Sequence, residues 1–76
     1  MTSKTVKTRS ETINGALVAA AITRDPEFDE YMVTWKVSGE TRSSWTYFTD
    51  TRQDAVGTMN AEFARMIHRG RVPATA

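Results

Sequence analysis

The stretch TRQDAVGTMNAEFARMIHRG, residues 51–70, decides the fold of this 76-residue chain. Apolar residues recur in it at intervals of three and four, the spacing that gathers side chains on one side of an α-helix. They are Ala55, Val56, Met59, Phe63, Met66 and Ile67. The sequence therefore predicts an amphipathic helix whose apolar side must be covered by the residues before it.

Both ends of this helix are marked by the residues around them. Asp50 or Thr51 can accept a hydrogen bond from a free amide of the first turn. At the other end Gly70 can adopt the left-handed conformation that terminates a helix, and Pro73 prevents the helix from continuing. Gly57 is discordant, because glycine in a helix interior costs about 1 kcal/mol relative to alanine. Close packing of the helix on a sheet is the expected reason for it.

The first half of the chain predicts a β-hairpin. Residues 4–13 are rich in threonine and suit an exposed edge strand, which could pair with a strand of a partner or of a second copy. Asn14-Gly15 is a strong signal for a two-residue turn, because both positions of a type I′ turn need a positive φ. Residues 16–23 then form the returning buried strand. A helix over residues 16–23 is the alternative, since their apolar residues also satisfy a helical spacing and three consecutive alanines favour helix.

The middle of the chain predicts a second pair of strands. Residues 24–29 form a turn around Pro26, and Phe28 is expected to fold back onto one end of the core. Residues 30–37 alternate as a strand with Tyr31, Val33, Trp35 and Val37 facing the helix. After a reversal at residues 38–41, residues 42–49 return as a strand.

The length of this second loop decides where Trp45 and Tyr47 point. With an odd number of loop residues, such as three with Gly39 left-handed, Trp45 and Tyr47 join the helix-facing side opposite Val33 and Tyr31. With an even number they emerge on the other face and form a binding surface. We expect an odd loop or a bulge that hides them.

These elements define the predicted fold class. It is α+β, an antiparallel three- to four-stranded sheet with one C-terminal amphipathic helix packed on one face, in the order β-β-β-β-α. The domain is single and covers residues 1–76, with flexible ends at 1–3 and 72–76. A domain this small is marginally stable, so we expect that association into a homodimer or with a larger partner would add to its stability.

Composition excludes several classes of protein. Cysteine is absent, which removes disulfides and sulfur-based zinc sites and fits a reducing, intracellular location. No apolar run approaches the roughly 20 residues of a membrane span, so we expect a soluble protein that contacts no membrane. The net charge of +1 argues neither for a strong nucleic-acid binder nor for an acidic mimic of nucleic acid.

Residues suited to catalysis or metal binding are few. The one histidine, His68, falls in the last helical turn, where a capping or surface role is expected. Acidic residues alternate through the turn at residues 25–30 as in a calcium loop, but the central glycine of such a loop is missing. The sequence therefore predicts a protein that is not an enzyme and that has no catalytic residues, no metal site and no cofactor.

Nucleic-acid binding has better support among the residues. Aromatic side chains on a sheet with cations nearby are the components of a base-stacking platform. The candidates are Trp45 and Tyr47 for stacking, with Arg65, Arg69 and Arg71 at the helix end for phosphates. The same aromatic residues would also suffice for the core of so small a domain, and the core is the role we expect for them.

Strands followed by one capped helix ending in MIHRG resemble the small anti-CRISPR proteins of bacteriophages that inhibit type I systems. The resemblance implies a non-enzymatic protein that binds a host CRISPR surveillance complex in the cytoplasm of an infected bacterium and blocks target DNA binding. Because the net charge of +1 does not suit bulk DNA mimicry, a local acidic patch is the expected contact, made by Asp25, Glu27, Asp29 and Glu30. A small nucleic-acid-binding module that uses the sheet aromatics and the terminal arginines is the alternative.

Overall fold

A computed structural model gives the fold, and the structure describes residues 4–73. Within residues 4–73, five strands precede one long helix. They are β1 (Lys4–Ile13), β2 (Ala16–Asp25), β3 (Glu30–Val37), β4 (Glu40–Thr41) and β5 (Tyr47–Thr49), with a 3-10 turn at Ser43–Trp45 between the last two and α1 at Arg52–Arg69. All pairings are antiparallel, and the helix packs on one face of the sheet. The α+β class with strands first and one C-terminal helix is confirmed.

The sheet has a simple order. β1 lies at one edge, β2 is next to it, and β3 follows. The opposite side of β3 is shared by two short strands, since β4 pairs with its C-terminal end and β5 with its N-terminal end. β1 therefore is the long free edge that the sequence predicts.

The first hairpin forms where Asn14-Gly15 predicts it. Asn14 has φ 49° and Gly15 has φ 81°, and Ile13 pairs directly with Ala16 across the two-residue turn. Residues 16–25 are strand, so the helical alternative for 16–23 is wrong. The reason is tertiary, because these residues lie between β1 and β3 and pair with both. One register shift interrupts the β1–β2 ladder near Val6, between Thr5 and Lys7.

The second hairpin corrects the prediction of an odd loop and of a continuous strand over residues 42–49. The loop has two residues, Ser38 with φ 52° and Gly39 with φ 83°, and Val37 pairs with Glu40 across it. Continued without a break, this register would turn Tyr47 toward the face away from the helix. The 3-10 turn at Ser43–Trp45 interrupts the strand and shifts the register by three residues.

This shift in register decides the position of Tyr47. In the β3–β4 ladder Lys36 pairs with Thr41, and this register, if continued, would place Tyr47 opposite Glu30. In the β3–β5 ladder Tyr47 pairs with Val33 instead, three residues further along β3. Because the change is odd, Tyr47 returns to the side that faces the helix. Tyr47 therefore lies on the expected side of the sheet, although an inserted turn and not the hairpin loop produces this. The expectation that Tyr47 is hidden is wrong, since the residue is 37% exposed.

The core lies between the helix and one face of the sheet. Alternate residues of β2 and β3 point toward the helix, and four helix residues meet them. The buried set is Ile13, Val18, Ala20, Ile22, Val33, Trp35, Val37, Ala55, Met59, Phe63 and Met66. Tyr31, Trp45 and Val72 are half-buried against it. The predicted helix-facing side of β3 is confirmed.

The ends of α1 are as the sequence predicts, whereas two residues within it differ from the prediction. Thr51 is the N-cap and accepts a hydrogen bond from the Asp54 amide at 3.2 Å, while Gly70 ends the helix with φ 67°. Gly57 is exposed, and a Cβ added to it would meet nothing within 4 Å. Close packing on the sheet is therefore the wrong reason for this glycine. Ile67, predicted on the apolar side, is 51% exposed.

The position of Phe28 also contradicts the prediction that it folds back onto the core. Its side chain is 72% exposed in the β2–β3 turn and covers no part of the core. The neighbouring Asp29 has φ 51°, and the backbone of this turn carries residues 26–29 outward. The predicted flexible ends fall largely on residues 1–3 and 74–76, which lie outside the described residues.

Candidate functional site

A groove of about 530 Å³ opens between the C-terminal half of α1 and the neighbouring edge of the sheet. One wall is aromatic and comes from β3, the 3-10 turn and β5, and the other is polar and comes from the helix and the residues after it. The lining residues that matter here are Trp35, Trp45, Tyr47, Glu62, Arg65, Arg69 and Arg71. Its volume falls in the range of ligand sites, about 300–1,000 Å³.

The aromatic wall is fixed by packing behind it. Trp35 is buried and stacks at an angle on Phe63 of the helix, with ring centroids 5.1 Å apart. Trp45 meets Trp35 edge to face, with centroids 6.2 Å apart and planes at 71°. Trp45 therefore stands on a rigid base, with part of its ring open to the groove. The guanidinium of Arg42 lies 5.8 Å from the centre of the Trp45 ring.

Tyr47 is held by a hydrogen bond to the start of the helix. Its hydroxyl donates to the Asp54 carboxylate at 2.6 Å, and the residue is 37% exposed. This bond raises the pKa of Tyr47 above its ordinary value of 10.0, because the proton is held by the carboxylate. The same bond lowers the pKa of Asp54 below 3.8, because it stabilises the charged form. Since the hydroxyl is engaged, the ring of Tyr47 is the part available to a ligand.

The cations of the groove are gathered by the helix terminus. Arg65 and Arg69 are one turn apart on α1, so they project on the same side. Beyond them Gly70 reverses the chain, and the Arg71 amide donates to the Met66 carbonyl at 3.2 Å. This reversal brings Arg71 and Pro73 to the same groove. The helix dipole also favours positive charge at this end.

The charge of the groove is positive but includes one acid. Glu62 pairs with Arg65 at 3.0 Å, one turn earlier in the helix. Three arginines therefore face one carboxylate in the groove lining. The structure thus brings together the five residues that the sequence suggested for nucleic acid: Trp45, Tyr47, Arg65, Arg69 and Arg71.

The acidic turn at residues 25–30 lies at the other end of β3. The Glu27 amide donates to the Asp25 carboxylate at 3.0 Å, and Asp29 forms an ion pair with Arg24. Glu27 and Asp29 are exposed, whereas Asp25 and Glu30 are half-buried. Trp35 is the fifth residue after Glu30 along β3, which corresponds to about 17 Å. The two candidate sites are therefore separate surfaces of opposite charge.

His68 takes no part in either surface. It is exposed in the last turn of α1. Across residues 4–73, no three side chains of histidine, aspartate or glutamate come together in a way that could hold a metal ion. Within the same range, no helix combines the length and the apolar character needed to cross a membrane.

One charged residue of the groove lining, Glu62, was not predicted from the sequence, because it belongs to no motif. Arg42, one of the cations near the sheet aromatics, precedes the 3-10 turn, and its guanidinium lies 5.8 Å from the centre of the Trp45 ring. The spacing of Glu62 and Arg65 by three helical residues does predict an ion pair once the helix is assigned. The 3-10 turn itself, SSW, carries no comparable signal.

Comparison of the chain with protein-family models, curated proteins and solved structures gave no match. The anti-CRISPR resemblance of the sequence therefore stays a prediction.

Proposed function

We propose that this protein is a non-enzymatic nucleic-acid-binding module that holds a short single-stranded segment in the aromatic groove. One observation carries the proposal, the meeting of Trp45 and Tyr47 with three arginines in a single groove. Bases stack on aromatic rings whatever their sequence, and arginines neutralise the phosphates that connect them. The groove offers both within one site.

The arrangement supports stacking on Trp45 in particular. Its ring is braced by Trp35 and so loses little freedom when a base lies on it. Tyr47 is braced by Asp54 and presents a second ring along β5. The ion pair between Glu62 and Arg65 is exposed and weak, so a phosphate can displace Glu62 from Arg65.

The test is titration of the protein with a fluorescent single-stranded oligonucleotide at several salt concentrations. Each phosphate contact contributes about −0.7 to the slope of log affinity against log salt for a single strand, so three arginine contacts predict a slope near −2. The variant Trp45→Ala should lose about 1–3 kcal/mol of binding, roughly 5- to 150-fold. Undetectable binding, or affinity that ignores salt, would eliminate this function.

Matched controls keep the titration specific. Phe48→Ala removes an aromatic side chain from the other face of the sheet and should leave the affinity unchanged. Arg52→Ala removes an exposed arginine at the far end of α1, and its salt slope should equal that of the unmodified chain, whereas Arg69→Ala should reduce the slope by about 0.7. Equal losses in Phe48→Ala and Trp45→Ala would place the binding outside the groove.

A second function is favoured by the acidic turn. Its exposed carboxylates, on the end of the molecule away from the arginines, could meet a basic surface of a protein that binds DNA. In this form the protein is a phage-type inhibitor that occupies a CRISPR surveillance complex in the bacterial cytoplasm and blocks target DNA binding. The resemblance noted in the sequence agrees with this function.

The inhibitor function is tested with a purified type I surveillance complex and its target DNA. Added protein should prevent DNA binding, and reversing Asp25, Glu27 and Glu30 to lysine should abolish the effect while circular dichroism shows an intact fold. Reversal of the exposed Glu40, on the other hairpin, is the matched control and should change nothing. Inhibition that survives the triple reversal would rule out the acidic turn as the contact.

A further inference from the structure

The free edge of β1 has a regular run of seven residues from Lys7 to Ile13. The register shift near Val6 lies outside this run, and no proline interrupts it. Natural sheets commonly protect such edges, since unpaired backbone groups invite another strand. Here the helix α1 covers the face of the sheet and leaves the edge open.

The turn at Asn14-Gly15 determines which backbone groups point outward. A two-residue type I′ turn closes on a hydrogen-bonded pair, here Ile13 with Ala16, and such pairs alternate along an antiparallel ladder. The backbone groups of Lys7, Arg9, Glu11 and Ile13 therefore face β2. Those of Thr8, Ser10 and Thr12 face away from the sheet, and their side chains are exposed.

The charged residues of β1 are placed so that the β1 strands of two copies can pair with each other. Consider two β1 strands placed antiparallel so that Ser10 lies opposite Ser10 of the second copy. Thr8 then lies opposite Thr12, and Arg9 lies opposite Glu11, on both sides of the two-fold axis. Threonine pairs and opposite charges are both favourable cross-strand neighbours.

Charge also selects this register over its neighbours. Hydrogen bonding requires Thr8, Ser10 and Thr12 of one copy to lie opposite residues of the same set in the other copy. The two strands can therefore slide past each other only in steps of two residues. One step in one direction places Arg9 opposite Arg9, and one step in the other places Glu11 opposite Glu11. Both alternatives oppose like charges at the two-fold axis, although the first also places Lys7 opposite Glu11 on each side. The register centred on Ser10 has no like-charge pair between residues 7 and 13.

We infer that two copies of this chain associate through β1, in an antiparallel two-fold pair centred on Ser10. The interface is isologous, with a continuous sheet running through both copies. Within one copy the Arg9 guanidinium bonds Asn60 at 3.0 Å and Glu11 at 3.2 Å and lies 4.6 Å from the Phe63 ring centre, so its side chain is fixed beside Glu11 before a second copy binds. The groove lies on the β5 side of the helix, so this pairing leaves it open and does not depend on the proposed function.

Amide hydrogen exchange of the full chain at increasing concentration tests the geometry directly. The amides of Thr8, Ser10 and Thr12 should become protected as sedimentation shows the dimer forming. Equal exchange of these three amides in monomer and dimer would overturn the proposal. So would a protein that remains monomeric at every concentration.

Proline substitution separates pairing from folding. Ser10→Pro removes an outward N–H and no bond to β2, so the monomer should fold and the dimer should be lost. Ser10→Ala keeps the N–H and is the matched control, which should dimerise normally. If the dimer survives Ser10→Pro but is lost in Leu17→Glu, the uncovered face of the sheet is the interface and the inference is wrong.

Charge exchange between copies tests the register. Arg9→Glu makes this stretch doubly negative and Glu11→Arg makes it doubly positive, so each variant alone should dimerise about tenfold or more weakly. An equal mixture of the two should form a mixed dimer, because opposite charges then meet at every position. Absence of the mixed dimer, with both variants folded, would exclude this register. Trp45→Ala should dimerise as the unmodified chain does, even if nucleic acid does not bind.

Discussion

The two faces of the sheet are built from the same strands, yet only one of them forms a core. On the helix side Val18, Ala20 and Ile22 of β2 are buried, whereas Leu17, between the first hairpin turn and Val18, is 52% exposed on the other side. The contrast is weaker in β5, where Tyr47 opposes Val33 and Phe48 opposes Met32, because Tyr47 is 37% exposed and Phe48 is 55% exposed. Alternation alone assigns residues to two faces, and the single helix decides which of them loses contact with water.

The largest test of this contrast uses two aliphatic residues of β2. Ile22→Ala should destabilise the domain by about 2–5 kcal/mol, because it empties a fully buried position, while Leu17→Ala should cost less than about 0.5 kcal/mol. Urea unfolding measures both. If Ile22→Ala does not fold, Ile22→Val should still cost about 0.5–1.5 kcal/mol. Equal losses at the two positions would mean that the second face is also covered.

The helix that covers the core can be weakened at its first turn. Thr51→Ala removes the hydrogen bond to the Asp54 amide and should cost about 1 kcal/mol. Thr51→Ser keeps an oxygen at the same place and should restore most of the loss. Chemical denaturation compares the three proteins, and no difference between alanine and serine would show that the cap contributes nothing.

The outer side of α1 should respond in the opposite direction. Gly57 faces solvent with room for a methyl group, so Gly57→Ala should stabilise the domain by about 0.5–1 kcal/mol. Ala61→Gly, one turn further along the exposed side, should lose about the same amount. A loss of stability in Gly57→Ala would contradict the assignment of this position to the solvent side.

The smallest expected effect is the pH dependence at the Tyr47–Asp54 bond. The pKa of Asp54 is lowered in the folded state, so its contribution is present above the ordinary value of 3.8 and is lost as the pH falls. The pKa of Tyr47 is raised, so its contribution is present below 10.0 and is lost as the pH rises through the higher folded value. Tyr47→Phe should flatten both limbs of a curve of urea midpoint against pH. A curve with unchanged limbs would show that the bond does not form in solution.

Much of the fold could be predicted from local signals. The cap at Thr51, the left-handed Gly70 and the Asn14-Gly15 turn each depend on the conformational preference of one or two residues, and all three occur as predicted. The second hairpin could not be predicted in the same way. Its register depends on the 3-10 turn at Ser43–Trp45, which holds Trp45 against Trp35, a contact between residues ten apart.

The candidate groove shows the same division. The residue types for nucleic-acid binding were visible in the sequence, but the aromatic and basic residues are eighteen or more positions apart, from Tyr47 to Arg65 and beyond. Their meeting depends on the direction in which α1 crosses the sheet. Phe28 and Ile67 were misplaced for the same reason, since apolar character does not say whether a neighbour covers a side chain.

The sequence by itself determined the helix, its ends, the first turn and the alternation of the strands, because these follow from steric preferences and hydrogen bonds within a few residues. Tertiary structure decided between strand and helix at residues 16–23, how Tyr47 returns to the helix side, and the assembly of the groove. Each of these required residues far apart in the chain to pair or pack, and the free energy of such contacts depends on the neighbours that folding supplies.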